Sequence, residues 1–278
     1  MNYTALSRGV KEFHLDRWDE FEEHLVKLRT RRSAVATKKG IGTSSLLFLG
    51  QRDHNWKLLT TLERQRKELW SLKEYYRLIL KARPQVETFT GRKWEIPGYE
   101  DYEKWLGEKG PGAPDFPPYD YMVYLRHHNS PSPLLDWTRS PYVAAYFAFV
   151  HAVDESGCVS IFAFWEYPGK PKIISPQEPH IVGLGPYVRS HKRHFLQQSE
   201  YTICVINDGG NWKFASHEDA LAKRSGEQDL LWKFNIPVTE RLKVLKYLED
   251  HNINAFTLFG SEESLVETIA MRELYLRD

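Results

Sequence analysis

Cysteine is scarce in this sequence, with two residues, Cys158 and Cys204, in a chain of 278. Both lie within apolar runs of the kind that form buried strands, so we expect two unbridged thiols in a reducing compartment. The Cys-x-x-Cys pairs and the Cys/His spacing that hold zinc are also lacking, and we expect no metal cofactor. Disulfide-stabilised folds and zinc domains are therefore excluded as classes.

An excess of charge of one sign is lacking too, since 38 Lys and Arg balance 37 Asp and Glu to a formal net charge of +1. Binding of nucleic acid or anionic lipid usually draws on a strong positive field, so nucleic acid becomes a less favoured partner. The apolar runs all fall short of the ~18 residues of a transmembrane helix. Residues 1–13 lack the apolar core of a signal peptide. We expect a cytoplasmic protein with no membrane partner.

The N-terminal part of the chain is mainly helical in pattern. Residues 11–32 place apolar side chains at helical spacing, with Asp16 as a candidate N-cap. Residues 45–51 are typical of a short buried strand. A second helical pattern runs from Leu69 to Leu80, and we expect Pro84 to end it.

Residues 84–118 are rich in proline, glycine and charge. We interpret them as an insertion, mostly loop, with one helical turn around residues 102–106. Loops of this length are uncommon and are often functional. Residues 119–129 then predict a helix, and residues 142–153 predict another that is apolar enough to be buried on most sides.

From residue 157 onward the pattern changes to strand-length runs rich in β-branched and aromatic residues. The predicted strands are 158–166, 171–176, 199–207 and 229–237, with residues 178–190 as a loop. Two further helices are predicted over 240–251 and 261–276, the last with Ser261 as its N-cap.

Helices that come mainly first and strands that come mainly later, without βαβ alternation or a glycine-rich phosphate loop, predict an α+β fold. We expect N-terminal helices packed on a mostly antiparallel sheet or a split sandwich. The chain would consist of an N-terminal helical segment over residues 1–40 and a principal domain over residues 41–278.

Polar residues are most concentrated at the end of the predicted 119–129 helix. Arg126-His127-His128-Asn129 is followed by Asp136-Trp137-Thr138-Arg139. Adjacent residues on a helix point about 100° apart, so His127 and His128 cannot readily share a metal ion. Two interpretations stay open. These side chains bind a ligand, or Asp136 caps the following turn and a histidine satisfies a buried carbonyl, which would make the segment architectural.

A second polar group stands at the start of the predicted strand 199–207. If the chain is extended here, Gln198 and Glu200 share one face. An acid at the start of a buried strand can stabilise a developing cation. The alternative is a purely structural ion pair between Glu200 and Arg189 or Arg193.

The order of these segments resembles the FRG-domain family over roughly residues 45–275. Four landmarks carry the resemblance: Phe48-Leu49-Gly50-Gln51 ahead of Trp56 and Leu62-Glu63-Arg64; Arg126 to Thr138 ahead of Ser140-Pro141 and Ala145-Tyr146-Phe147-Ala148; Arg193 ahead of Gln197 to Thr202; and Asn252-Ile253 ahead of Leu258-Phe259-Gly260. The chain departs from the family pattern where Leu49 replaces an Arg, Arg126 replaces a Gln, and Ser132-Pro133 replaces Thr-Arg. The domain over residues 41–278 is identified as FRG-like, with an insertion at 84–118.

The FRG landmarks are in turn similar to those of ADP-ribosyltransferase-type folds. That likeness implies an ADP-ribosyltransferase-like fold that binds NAD or another nucleotide and acts as an ADP-ribosyltransferase or NAD glycohydrolase. Glu200, with Gln198, would be catalytic and would stabilise the oxocarbenium-like charge. The implied ligand-binding residues are Gly50, Gln51, His127, His128, Asp136, Trp137, Thr138, Ser140 and Tyr142. These roles require the segments around Asp136 and Glu200 to share one concave pocket.

Two other functions stay open. One is a non-enzymatic nucleotide- or nucleic-acid-binding module, such as a bacterial defence or toxin component, in which exposed tryptophans beside the basic cluster Arg29–Arg32 stack on single strands. The other is a degenerate scaffold that binds an unknown protein target, which Leu49 favours.

Overall fold

One mixed β-sheet runs through the molecule in the computed structural model, which describes residues 4–7, 10–39, 42–65, 70–112, 116–223 and 228–277. Its strands are β1 (Thr4–Ser7), β2 (Val10–His14), β3 (Leu46–Gln51), β4 (Leu135–Thr138), β5 (Cys158–Trp165), β6 (His180–Gly183), β7 (Ser199–Asp208), β8 (Asn211–Phe214) and β9 (Leu230–Pro237).

The strand order is β1-β2-β9-β5-β3-β4-β7-β6, and β8 pairs with β7. Neighbouring strands are antiparallel, except that β2 runs parallel to β9. The predicted α+β class with a mostly antiparallel sheet is therefore confirmed.

The helices of the described residues cover the sheet. They are α1 (Trp18–Lys39), α2 (Thr61–Gln65), α3 (Leu72–Thr90), α4 (Tyr99–Glu108), α5 (Tyr119–His127), α6 (Pro141–Phe149), α7 (Lys192–Leu196), α8 (His217–Ala222), α9 (Arg241–Asp250), α10 (Ala255–Phe259) and α11 (Glu262–Leu274), with a 3-10 turn at Val238–Glu240. None of them combines the length and hydrophobicity needed to cross a bilayer.

The predicted helix over residues 11–32 is wrong at its start. Val10–His14 is a strand that pairs with Leu231–Asn235, and Phe13 is buried there. The helix begins at Trp18, whose backbone N–H donates to the Glu240 carboxylate at 3.0 Å, rather than behind an Asp16 cap. The segment 1–40 thus shares the sheet with the rest of the chain, while its separation as a helical segment stays a prediction.

The prediction that Pro84 ends the second helix is wrong, because α3 continues through it to Thr90. Ser71 opens this helix with a capping box to Glu74, and Gly91 closes it in the left-handed conformation with φ 68°. The predicted starting residue Leu69 lies outside the described residues. Pro84 is exposed, so the cost of its missing N–H is offset by the buried face of α3.

The segment 84–118 contains more helix than predicted. Its ten-residue α4 replaces the single turn expected around residues 102–106. α4 packs on α3 through Tyr76 and Tyr102, whose rings stack with centroids 3.7 Å apart. The Tyr76 hydroxyl also donates to the Pro97 carbonyl at 2.6 Å, which ties the intervening chain to α3.

Two short predictions in the C-terminal half are reversed. Residues 171–176 form no strand, and Ile173 is exposed. His180–Gly183, predicted as loop, is β6 and pairs with Thr202–Val205 of β7.

α6 ends at Phe149 rather than at residue 153, because the Arg241 guanidinium donates to the carbonyls of Phe149 and Val150 at 3.0 Å each.

The remaining long predictions are confirmed to within a few residues: β3, β5, β7, β9, α5, α9 and α11, the last with Ser261 as its N-cap. Both cysteines are free thiols. Cys204 is buried and Cys158 is half-buried.

The sheet opens between β3 and β4. These strands share a single register pair, Phe48 with Thr138. Beyond it, Gly50 and Gln51 of β3 form no register pair with Asp136 and Leu135 of β4. The gap that results is the floor of the main cavity.

Candidate functional site

A cavity of about 410 Å³ occupies the gap between β3 and β4. Its volume lies within the range of small-molecule sites. Its walls come from β3, the 56–64 segment, the end of α5, β4, α6, the α7–β7 turn and Phe259. Residues as far apart in the chain as Trp56 and Phe259, which are 203 positions apart, thus enclose one space.

The cavity carries more positive than negative charge. Arg64, Arg126 and Arg193 line it, against one carboxylate among the described lining residues, that of Asp136. Arg64 lies over the Trp56 ring at 5.5 Å, and Arg193 lies over the Phe259 ring at 5.2 Å. Guanidinium groups over aromatic rings are preorganised for planar anions and bases.

Arg126 and Asp136 form the central ion pair of this cavity. Nη2 of Arg126 donates to Oδ2 of Asp136 at 2.7 Å. In the described part of the chain, Nε of Arg126 and Oδ1 of Asp136 are buried without a hydrogen-bond partner. Burial raises the pKa of Asp136, and the Arg126 guanidinium opposes that rise.

Gln51 and Arg193 contribute two further unpartnered atoms. The Gln51 amide Nε2 donates to the Lys57 carbonyl at 3.2 Å, while its Oε1 is buried with no partner among the described residues. Nε of Arg193 is likewise buried with no hydrogen-bond partner among the described residues. Buried polar atoms in folded proteins normally have a partner, so four such atoms in the walls of one cavity indicate a site built for a polar ligand.

Gly50 is required by the approach of α6 to the cavity floor. A Cβ at this position would lie 1.9 Å from the Ala144 carbonyl oxygen and 2.8 Å from the Ala148 nitrogen. Glycine therefore lets α6 pack directly on β3. This is a structural reason for the residue, beside its predicted ligand role.

The two adjacent histidines have separate environments. His127 lines the cavity and its Nε2 is 2.9 Å from the Tyr201 hydroxyl. Burial, followed by the His191 and Arg126 charges, lowers the pKa of His127 to about 3, so the ring is neutral at pH 7. His128 is exposed at the end of α5, against Tyr124 with ring centroids 4.3 Å apart, and is not among the lining residues.

Metal chemistry has no support at this cluster of imidazoles. His191 lies near both histidines, with ring centroids 5.6 Å from His127 and 5.5 Å from His128. Among the described residues, no three or more His, Cys, Asp or Glu side chains are placed to hold a metal ion.

Trp137 and Thr138 line the cavity, but their polar atoms are held by partners within the protein. The Trp137 indole is 3% exposed, stacks on Phe164 with centroids 5.2 Å apart, and donates to the Thr202 hydroxyl at 2.9 Å. The Thr138 hydroxyl donates to the Gln197 carbonyl at 2.6 Å. The indole N–H and the Thr138 hydroxyl proton are therefore already used inside the protein.

Ser140 and Tyr142 lie outside the cavity lining. Ser140 caps α6, with its hydroxyl accepting from the Val143 N–H at 3.3 Å. The Tyr142 ring contacts Tyr247 of α9, with centroids 6.0 Å apart. Their roles in ligand binding stay predictions.

Glu200 belongs to a second cavity, of about 670 Å³, which Arg139, Glu166 and Lys172 also line. In the β4–β7 register Glu200 stands opposite Trp137, and Tyr201 stands opposite Asp136. Directly paired residues share a face of the sheet, so Glu200 faces away from Asp136. The expectation of one common pocket is wrong for this reason.

The ion pair that Glu200 makes is with Arg139, at 3.6 Å, rather than with Arg189 or Arg193. Burial raises the pKa of Glu200, and Arg139 opposes that rise. Gln198 precedes the strand in the left-handed region, with φ 49°, and its carbonyl accepts from the Arg139 N–H at 3.0 Å. It therefore does not share a strand face with Glu200.

Comparison with known proteins gives one match. Residues 44–156 match the family model described as FRG domain. The chain carries an FRG domain. No curated protein and no solved structure matches the chain.

The matched FRG segment supplies most of the cavity. It includes β3, the 56–64 segment, the end of α5, β4 and α6. Arg193 and Phe259 reach the same space from outside that segment. The cavity is thus completed by the C-terminal part of the chain.

Sequence reasoning missed several lining residues: Trp56, Arg64, Phe147, Arg193 and Phe259. A signal for them was present, because all five stand within the landmarks that carry the FRG resemblance. Their side chains were not assigned to the site because residue order alone does not show which landmarks converge.

Proposed function

We propose that the cavity between β3 and β4 binds a nucleotide. The observation that carries the proposal is the convergence of Arg64, Arg126 and Arg193 with four buried, unpartnered polar atoms in one space. Arginine suits phosphate because its planar guanidinium offers two parallel N–H donors. The neutral His127 adds a polar wall without further charge.

The aromatic walls support a ligand that carries a ring as well as a phosphate. Trp56 stands at one side of the cavity, with the guanidinium groups of Arg52 and Arg64 at 4.8 and 5.5 Å from its ring centroid. Phe147 and Phe259 pack edge to face at the other side, with centroids 6.0 Å apart. Flat aromatic surfaces of this kind stack on bases without regard to sequence.

The departures from the FRG pattern are consistent with this proposal. Leu49 and Arg126 both line the cavity. An arginine that the pattern has at position 49 is absent, and one that the pattern lacks is present at position 126. The positive charge needed for a phosphate is therefore kept in the same space at a different wall.

NAD is the first ligand to test, and ADP-ribosyl transfer or NAD hydrolysis is the second candidate function. In that reaction the bond from C1′ of the ribose to the nicotinamide nitrogen breaks and its electron pair leaves with neutral nicotinamide. Water or an acceptor hydroxyl bonds to C1′ and releases a proton. Asp136, rather than Glu200, is the carboxylate that lines this cavity, so it would stabilise the positive charge on the sugar.

The nucleic-acid alternative has less support from the basic cluster on α1. Arg31 lies over Trp165 and Trp232 at 5.8 and 5.7 Å, and both rings are buried. Arg32 donates through Nε to the Ser44 carbonyl at 2.9 Å. These side chains therefore hold the protein's own core and offer no open stacking surface.

Isothermal titration of the full chain with ADP-ribose, NAD and AMP tests the proposal, with Arg193→Met as the probe. Arg193→Met should weaken binding by about 10- to 100-fold, because a hydrogen bond to a charged group contributes about 1.5–3 kcal/mol. Arg29→Met, an exposed arginine on α1, is the matched control and should bind like the parent. Absence of binding by all three nucleotides, or equal binding by Arg193→Met, would overturn the proposal.

The second candidate function has its own measurement. Chromatography of NAD incubated with the protein should show nicotinamide release if the chain hydrolyses or transfers. An unchanged NAD peak with measurable NAD binding would reject the reaction and leave the binding function in place.

A further inference from the structure

We propose that Asp136 and Gln51 bind the ribose hydroxyls of the nucleotide, so that the cavity selects ribonucleotides over deoxyribonucleotides. This inference rests on the proposed function, since it assigns part of the same ligand. It names a chemical feature of the ligand, a sugar hydroxyl, that the arginines do not require.

The unpartnered atoms of the cavity fall into two chemical kinds. Nε of Arg126 and Nε of Arg193 are donors, whereas Oδ1 of Asp136 and Oε1 of Gln51 are acceptors. A phosphate satisfies donors only. A ligand that satisfies all four atoms must also offer O–H or N–H groups.

The identity of the acceptor on Gln51 is fixed by its neighbour. Since Nε2 donates to the Lys57 carbonyl at 3.2 Å, the oxygen is the atom left without a partner. Similarly, Oδ2 of Asp136 accepts from Arg126 at 2.7 Å, which leaves Oδ1. Each side chain thus has one atom held by the protein and one available to a ligand.

The two acceptors flank the gap in the sheet. β3 and β4 are antiparallel from Phe48 and Thr138, so in a continued register Gly50 would stand opposite Asp136 and Gln51 opposite Leu135. Paired residues share a face of the sheet, so the Gln51 and Asp136 side chains project from opposite faces, and both line the cavity because it occupies the gap between the two strands. A sugar that bridges the gap can donate to both edges.

Carboxylates commonly recognise ribose in this way, as an acidic residue accepts from the 2′-hydroxyl in dinucleotide-binding folds. A site that keeps buried acceptors for a hydroxyl rejects the analogue that lacks it, because the acceptors then stay unpaired. The cost of the missing hydroxyl should therefore appear directly as a loss of affinity.

The experiment compares AMP with 2′-deoxy-AMP and 3′-deoxy-AMP by isothermal titration of the full chain at pH 8. At least one deoxy analogue should bind about tenfold more weakly than AMP or worse. Asp136→Asn should bring that ratio to about threefold or less, since an amide next to Arg126 turns its N–H₂ rather than an oxygen toward the sugar. Asp219→Asn, an exposed acid on α8, is the control and should keep the parent ratio.

The outcomes separate this inference from the proposed function. If AMP binds and both deoxy analogues bind within about threefold of it, nucleotide binding stands and sugar recognition is overturned. If none of the three binds, both fail. A ratio that survives in folded Asp136→Asn overturns the role of Asp136. The parent ratio needs no variant, so a variant that fails to fold still leaves the sugar preference decided.

Discussion

Replacement of Gly50 by alanine should strongly destabilise the fold at the cavity floor. The added Cβ would lie 1.9 Å from the Ala144 carbonyl oxygen, where ordinary contact begins at 3.4 Å, and the obstacle is backbone of α6. α6 would have to move by about the difference, and it is buried along most of its length. Overpacking that a core cannot absorb costs about 1–3 kcal/mol, and backbone on both sides favours the upper end or beyond.

Urea unfolding at 25 °C, followed by circular dichroism, measures this loss. Gly107→Ala is the matched control, because Gly107 lies within helix α4 and a Cβ there meets nothing within 4 Å. That variant should gain about 0.5–1 kcal/mol from helix propensity. A Gly50→Ala protein within about 0.5 kcal/mol of the parent would refute the packing of α6 on β3.

Two further predictions concern the buried chain of hydrogen bonds from Trp137 through Thr202 to His217. Burial lowers the pKa of His217 to about 3. Below about pH 6.5 the histidine therefore binds a proton in the unfolded protein but stays neutral in the folded protein. Protonation of this group should therefore lower the free energy of unfolding by about 2 kcal/mol between pH 7 and pH 5. In His217→Gln, measured by urea unfolding, the free energy of unfolding should fall by about 2 kcal/mol less over the same range. Trp137→Phe should lose about 2–3 kcal/mol at pH 7, because the Thr202 hydroxyl loses its 2.9 Å donor; a loss below about 0.5 kcal/mol would contradict it.

Long buried strands could be predicted because their composition is set by their own burial. β5 and β9 are buried almost throughout, and their apolar runs are visible in the sequence. Helix caps such as Ser261 could also be predicted from the sequence, because a cap depends on residues only a few positions away.

Elements that depend on distant partners were misread. The apolar spacing of residues 11–32 predicts that the β2 segment begins a helix. It forms a strand because it pairs in parallel with β9, more than 200 residues later in the chain. β6 has four residues and forms because β7 offers it an edge. Pro84 is tolerated in α3 because packing of the opposite face holds the helix.

The sequence predicts the residues at the centre of the cavity but not all the residues that line it. Six of the predicted ligand residues line the cavity: Gly50, Gln51, His127, Asp136, Trp137 and Thr138. Ser140 and Tyr142 lie outside it because they belong to the start of α6, and His128 lies at the exposed end of α5. Glu200 lines the second cavity because of the register between β4 and β7. That register pairs residues about sixty positions apart, so neither segment alone predicts it.

A crystal structure of the full chain with ADP-ribose would test the central claim most directly. We predict that the ligand lies in the gap between β3 and β4, with phosphate oxygens against Arg126 or Arg193 and a sugar hydroxyl against Asp136. A ligand bound beside Glu200 in the second cavity, with the gap between the strands empty, would contradict it.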